Sequence, residues 1–494
     1  MGHMRFRLTQ RDRLGPDGVK RIYVTGLDEF PWATRCRWVG DELIVERDND
    51  DSGYVYVPWR VDGHGRHLLG TATLIEREKP YSLDVELARG LIQRLRSRLF
   101  LWEWLGLKTP AALGERLRTA TETFSRAATQ QHDAELSSKL ANEAIAAALS
   151  VSNDIVRAYS QQTLAAQPSP TQVPTLLGVS LGPQAPSLAV RRQLVDACNI
   201  VQLPMAWRAI ETREGKRDFK ATDEQLSWCQ TAGIKVAAGP LLQMDERGVP
   251  DWMYLWEGED DNLVRVLLEH VRAVVTRYAG RVHLWHVASR VNNGQLLSMS
   301  EESRLNLVAQ AVQLVRKLDP RTPTVVSFDQ PWAEYLAEQD RDLSPWHYAD
   351  ALVRADLGVS GFGLEINSGY WPRGSTHRPA FEYGKLIDQW SQLGLPLMVL
   401  ISAPDSAQSD PLADKNIAAE PLLGGAELSG DSQSEWASAV VPLLIARASV
   451  QVVLWNQLAD GEPHEFPRSG LFTDKGKAKP TMSLLRNIRK TCLQ

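Results

Sequence analysis

From Leu176 onward, short apolar or β-branched runs alternate with stretches long enough to form helices. The runs are Leu176 to Ser180, Asn199 to Leu203, Ile234 to Ala238, Val282 to Val287, Thr324 to Phe328, Val359 to Leu364, Leu397 to Ile401 and Val450 to Trp455. Strands joined by helix-length crossovers pair in parallel, and eight such strands close into a barrel. The pattern predicts an α/β chain with a (β/α)8 TIM barrel over 175–494. Function in such a barrel sits where the strands end, on the C-terminal face.

A barrel of this kind uses about 250 residues, so a chain of 494 residues needs further structure. Residues 5–82 carry alternating segments such as Glu42-Leu43-Ile44-Val45 and Tyr54-Val55-Tyr56-Val57, punctuated by glycine turns. They predict a small β-sandwich-like domain of antiparallel strands. Over 83–166 the period changes: Leu87, Leu91, Leu95 and Leu99 share one helical face, and Thr109-Pro110 reads as a cap opening a second helix. The polar, proline-bearing stretch 167–174 reads as a linker, across which few contacts need pass. Met1-Gly2-His3-Met4 reads as a tag remnant spanning 1–4.

A net charge of −5 and a charged fraction of 23 % argue against nucleic acid or a membrane surface as the main partner. No apolar run reaches the roughly 18 residues of a membrane span. Cys36, Cys198, Cys229 and Cys492 lie far apart, have no metal-ligand spacing and are expected to be free thiols. With no apolar signal region following the first residues, cytoplasm is the default expectation. No cofactor is expected. His283 and His286 lie three apart on one strand, face opposite sides and cannot share a metal.

Several ordered motifs carry a resemblance. Met205-Ala206-Trp207-Arg208-Ala209-Ile210-Glu211 with Gly215 and Phe219, the third-strand region from Gly233 to Trp252, and Leu284-Trp285-His286-Val287-Ala288-Ser289-Arg290 resemble the second to fourth strand regions of glycoside hydrolase family 10. Trp455, Gly470-Leu471 and Lys479-Pro480 are similar to the end of that family's barrel. The resemblance implies an acid/base glutamate, preceded by asparagine, at the end of strand four, and a nucleophile glutamate at the end of strand seven. Here those positions read Ser289-Arg290 and Ala403. The family's strand-two asparagine and lysine are replaced by Leu203 and Ala206, and the histidine after strand three by Pro240. On strand six its glutamine and histidine correspond to Glu365 and Asn367.

Arginine keeps its proton at usable pH and alanine offers no oxygen, so the two-carboxylate mechanism loses both partners. The resulting expectation is a carbohydrate-binding pseudoenzyme whose partner is an oligo- or polysaccharide. Arg290 is suited to an anionic sugar, or to an ion pair with Glu365. Trp207, Trp371 and Trp455 are candidates for stacking on sugar rings, with core packing as the alternative, and Asn367 is a polar candidate. The competing expectation is an active glycosidase with relocated carboxylates, Glu365 acting with Asp405 or Asp245. A purely structural scaffold is the third.

Overall fold

The computed structural model describes residues 2–167, 173–258, 260–294, 296–338, 341, 343–420, 422 and 430–493. Most of the expected linker, 168–172, lies outside the described residues.

The amino-terminal strands are β1 (Gly2–Arg7), β2 (Tyr23–Thr25), β3 (Pro31–Trp32), β4 (Thr34–Val39), β5 (Glu42–Arg47), β6 (Tyr54–Val61), β7 (Gly65–Gly70) and β8 (Tyr81–Ser82). They form two four-stranded sheets, β4-β5-β1-β8 and β3-β2-β6-β7. Pairing is antiparallel except between β1 and β8. Alternation decides the inner face: Met4, Phe6, Leu43, Val45, Val55, Val57 and Trp59 are buried. Because β1 begins at Gly2 and pairs Gly2 with Arg47, the sheet takes in residues expected to be a remnant.

Three helices follow, α1 (Leu83–Trp104), α2 (Ala111–Thr129) and α3 (Ala134–Ala165). The leucines spaced by four on α1 are all buried. Gly90 sits where α1 meets β7, and a Cβ there would lie 2.1 Å from the Gly70 carbonyl oxygen. The expected cap on α2 is corrected. Thr109 Oγ1 donates to Glu103 at 2.6 Å, and the helix starts after Pro110 with no side-chain cap.

The barrel strands are β9 (Leu176–Ser180), β10 (Ile200–Leu203), β11 (Lys235–Ala238), the short β12 (Leu242–Gln243), β13 (Leu284–Ser289), β14 (Thr324–Asp329) and β15 (Gly361–Asn367). After the two-residue β16 (Tyr370–Trp371) come β17 (Leu397–Ser402), another short strand β18 (Ala418–Ala419) and β19 (Val450–Trp455). β19 pairs with β9 and β11 pairs with β13, so eight parallel strands close into a ring, with β12 extending the third position beside β13. Around it run α4 (Leu188–Ala197), α5 (Trp207–Ile210), α6 (Lys220–Ala232), α7 (Asp260–Tyr278), α8 (Glu301–Leu318), α9 (Pro345–Arg354), α10 (Ala380–Trp390), α11 (Gly430–Ile445) and α12 (Pro480–Cys492). Serine caps open three of them: Ser187, Ser300 and Ser344 accept from the backbone N–H three residues on. No helix among the described residues is long and apolar enough to cross a membrane.

The two parts are not loosely tethered, which corrects the expectation of few contacts. α3 packs on α10 and α11, and Trp59 Nε1 donates to Asn142 Oδ1 on α3 at 2.9 Å, linking sandwich to helix. Arg98 pairs with Asp388 at 2.6 Å, Arg378 donates to the Tyr23 hydroxyl at 2.6 Å, and the Leu68 N–H donates to the His377 carbonyl at 2.7 Å. Arg21 and Arg66 both reach Glu420, at 2.6 and 2.9 Å. One apolar core runs through both parts.

Candidate functional site

Inside the ring, residues two apart on a strand point the same way. The lower interior layer is apolar: Ile200, Ala237, Leu284, Val325, Met398, Leu400, Val452 and Leu454 pack together. Two residues nearer the mouth, β10, β13 and β14 carry polar side chains instead. Gln202 Nε2 lies 2.9 Å from His286 Nδ1, His286 Nε2 lies 2.8 Å from Ser327 Oγ, and Ser327 Oγ donates to Glu365 Oε1 at 2.7 Å. Burial pushes His286 down to about 3, so the ring is neutral. With Gln202 donating, Nδ1 accepts and Nε2 carries the proton. The row Gln202, His286, Ser327 thus delivers one hydrogen bond to Glu365.

The other Glu365 oxygen accepts from Arg290 Nε at 3.1 Å. Arg290 ends β13 with φ at +57°, a left-handed conformation that arginine rarely adopts, and Gln330 just after β14 has φ at +46°. Strain of this type persists where surrounding contacts over-determine it, and it clusters at functional sites. The Arg290 contacts do so. Nη1 donates to Asp245 Oδ2 at 2.8 Å and to Glu465 Oε1 at 2.9 Å, while Nη2 donates to Glu465 Oε2 at 2.6 Å. Arg290 is 7 % exposed, and its guanidinium spends four of its five N–H groups on three carboxylates. Burial alone would lower its pKa, yet Glu465, Glu365 and Asp245 outweigh burial and hold it firmly charged. Glu465 also faces Arg247 at 3.4 Å and Arg373 at 3.5 Å.

Asp329, beside Glu365 in the sheet register, is a buried carboxyl near Arg290 and forms no ion pair among the described residues. It is 4 % exposed, and Oδ1 has no hydrogen-bond partner among the described residues. Burial raises its pKa, with Glu365 and Glu465 adding to the rise and Arg290 opposing it, to about 7. Asp245 goes the other way. Burial works to raise it, but Arg290, Gln243 and Arg247 together hold it below the usual carboxylate range.

The structure therefore brings Glu365, Asp245 and Arg290 together, as the ion-pair alternative for Arg290 expected. Asp405 is not part of this group; Lys479 Nζ pairs with it at 2.7 Å and with Asp460 at 2.6 Å. Asn367 is fully buried, its oxygen accepting from Ser402 Oγ at 2.6 Å and Asn456 Nδ2 at 3.0 Å. Two stacking candidates are corrected to core residues. Trp207 is 2 % exposed and lies face to face with His270, centroids 4.6 Å apart; Trp455 is 1 % exposed, its edge against Trp436 and its N–H on the Ser469 carbonyl. Trp371 is half-buried, with the Arg21 guanidinium 4.7 Å from its ring. Ala403, the position expected for a nucleophile, is fully buried. Asp410, Asp460 and His464 form a cluster of metal-ligand type, but Arg468 and Lys479 already supply positive charge to the two aspartates.

Glu465 and Asp329 went unnoticed in the sequence. Asp329 could have been found as an acidic residue at a strand's C-terminal end. Glu465 carries no such signal, because it lies ten residues past Trp455 in a long loop that folds back over the mouth.

Two cavities open at this face. One, of about 320 Å³, lies between the mouth and the amino-terminal domain and is lined by Asp245, Arg290, Asp329, Gln330, Trp371 and Arg21 among others. The second, of about 390 Å³, is lined by Gln202, His286, Glu365, Asn456 and residues of the loop after β19. Arg290 borders both.

The sequence model of glycosyl hydrolase family 10 matches residues 193–320, which include the second to fourth barrel strands and Arg290. A beta-1,4-xylanase of Dictyoglomus thermophilum is 31 % identical over 85 residues, 17 % of this chain and 23 % of that protein. Endo-1,4-beta-xylanase 3 of Hypocrea jecorina is 28 % identical over 120 residues, 24 % of this chain and 34 % of that protein. The chain thus spans about a quarter to a third of the length of these two curated relatives. Among solved structures, xylanase 10B from Thermotoga maritima has 14 % identity and a TM-score of 0.48, covering 64 % of this chain and 95 % of its own. Xylanase 10B from Thermotoga petrophila, in complex with xylobiose, has 13 % identity and a TM-score of 0.49, covering 64 % and 94 %. Over residues 193–320, in a chain whose eight parallel strands close into a ring, the protein is similar to glycoside hydrolase family 10.

Proposed function

We propose that the barrel mouth binds a neutral oligosaccharide and does not cleave it by the retaining, double-displacement route. The observation that carries the reading is Arg290. It stands where the resemblance places the proton donor, and it is buried, charged and bonded to three carboxylates. Double displacement needs two carboxyl groups about 5 to 5.5 Å apart, one attacking and one giving a proton. Ala403, at the position that corresponds to the attacking group, offers neither oxygen nor charge. Glu365 has its two oxygens occupied by Ser327 and Arg290.

Cavities at the mouth support a binding role over a purely structural scaffold. The relatives' names point to xylan-type sugars as first candidates. An anionic sugar, which a lone Arg290 would suit, would have to displace Glu465 and approach Asp245 and Asp329. Removing one carboxylate from a buried bidentate pair costs several kcal/mol, about 3 to 5, so neutral hydroxyls are the better match.

A second reading, hydrolysis through relocated carboxylates, has one observation in its favour. Asp329 holds its proton to about 7 and lines the same cavity as Asp245, and a protonated acid beside a carboxylate is what general acid catalysis with an activated water requires. Titration calorimetry with xylotriose, followed by chromatography of the cell contents, separates the readings. Heat of binding with intact xylotriose is expected. Shorter products would establish the second reading, and no heat would overturn the first.

A further inference from the structure

Binding at the mouth, as proposed above, leaves open which part of a glycan enters. The 320 Å³ cavity is bounded on one side by barrel loops and on the other by Lys20 to Tyr23 and Leu68 of the amino-terminal domain. That domain is fixed in place. Arg21 and Arg66 are paired to Glu420, Tyr23 to Arg378, and the Leu68 N–H to the His377 carbonyl. Toward the barrel axis the cavity ends at Arg290, which Glu465 grips with both oxygens. The space thus has the amino-terminal domain on one side and Arg290 on the other, and its volume falls at the low end of the roughly 300 to 1,000 Å³ typical of small-molecule sites.

Its lining holds unspent polar atoms. Arg21 Nε, Ser375 Oγ, Gln330 Oε1 and Asp329 Oδ1 belong to residues that border the cavity, all four more than nine-tenths buried, and none of these atoms has a hydrogen-bond partner among the described residues. Buried polar groups are almost always satisfied, so four unsatisfied ones in residues around one cavity are groups that a small side-chain rotation would bring to hydroxyls of water or of a ligand. The set comprises one N–H donor, one hydroxyl able to do either, and two oxygens. Trp371 adds a half-buried indole at the edge, and the Arg21 guanidinium lies against its ring.

We infer that the amino-terminal domain closes one end of the sugar cleft, so that the site takes the terminus of a short neutral oligosaccharide and not the interior of a polymer. The domain is then part of the binding site, with Arg21 as a recognition residue. Ligand size is limited by this small volume, which suits a short oligosaccharide.

The inference is tested with a length series on the full chain. Xylobiose, xylotriose, xylohexaose and soluble arabinoxylan are titrated by calorimetry, and retention on insoluble xylan is measured. The expected result is affinity within about threefold between xylotriose and xylohexaose, with polymer binding in proportion to chain ends and not to mass. Affinity rising tenfold or more from three units to six, or retention on xylan in proportion to mass, would overturn end recognition and leave the proposed binding function standing. Binding of no sugar would remove both. Ser375→Ala removes a hydroxyl that makes no bond in the structure, so the fold is expected to hold, and xylotriose affinity should fall about tenfold. Arg21→Gln should lower it at least as much, with melting temperature followed in parallel because Arg21 also pairs with Glu420. Unchanged affinity in a folded Ser375→Ala protein overturns the assignment of this cavity.

Discussion

The lower and upper layers of the barrel interior are built from the same eight strands and behave as different materials. Below, Ile200, Leu284, Val325 and Leu454 fill the ring with apolar volume. Above, the first three of these strands, two residues further on, offer Gln202, His286 and Ser327, which lead to Glu365 and Arg290. Apolar packing stabilises without regard to pH and tolerates similar shapes, whereas a buried ionic group stabilises only while every partner is present. The lower layer can thus close the barrel by itself. The upper layer is free to be specialised, and its cost is dependence on charge balance.

The largest effect expected from this contrast follows removal of Arg290. Arg290→Met leaves Asp245, Glu365 and Glu465 buried without their cation, and unfolding by denaturant should show a loss of about 3 to 5 kcal/mol at pH 8. At pH 5 the loss should shrink, since carboxylates freed of the arginine take up protons more readily in the folded state. Leu454→Ala, in the lower layer, is expected to cost about 2 to 4 kcal/mol, with the same value at both pH values. Equal pH dependence in the two variants would break the comparison.

Asp329 sharpens it with an opposite sign. Its folded pKa of about 7 lies above the 3.8 of an ordinary aspartate. In that window the folded chain holds a proton that the unfolded chain has released, so stability falls as pH rises through it and stays low above 7. Asp329→Asn keeps the neutral form. It should be more stable than the parent by at least about 1 kcal/mol at pH 8, and close to the parent near pH 4. A melting-temperature profile from pH 4 to 8 reads this directly. The smallest effect belongs to Ser327→Ala, which removes the hydroxyl between His286 and Glu365 and should cost about 1 kcal/mol, measured by denaturant unfolding.

Much of the fold could be read from the sequence because periodicity is a local property. The runs at Leu176 to Ser180 and Val450 to Trp455 are strands with those bounds, and the four-spaced leucines from Leu87 form a buried helical face. The site was legible in part. Arg290 and Glu365 could be paired because both end strands, and a parallel barrel gathers strand ends at one face. Glu465 could not, since its approach to Arg290 depends on the course of a loop that has no periodic pattern. Trp207 and Trp455 show the reverse error: a tryptophan looks alike in sequence whether its face is open or packed, and here His270 and Trp436 cover them. The tie between the amino-terminal domain and the barrel was also hidden. It depends on single residues such as Arg21, Arg98 and Tyr23, scattered through segments with no shared pattern.

The central claim, that the mouth lacks the groups for double displacement, is tested most directly by trapping. A 2-fluoro xylobioside with a good leaving group forms a stable glycosyl adduct wherever a carboxylate attacks the anomeric carbon. Intact-mass measurement after prolonged incubation should find the protein unchanged, with no leaving group released above a heat-killed control. A gain of one glycosyl unit, located by peptide mapping on a barrel carboxylate such as Glu365, Asp245 or Asp329, would contradict the account.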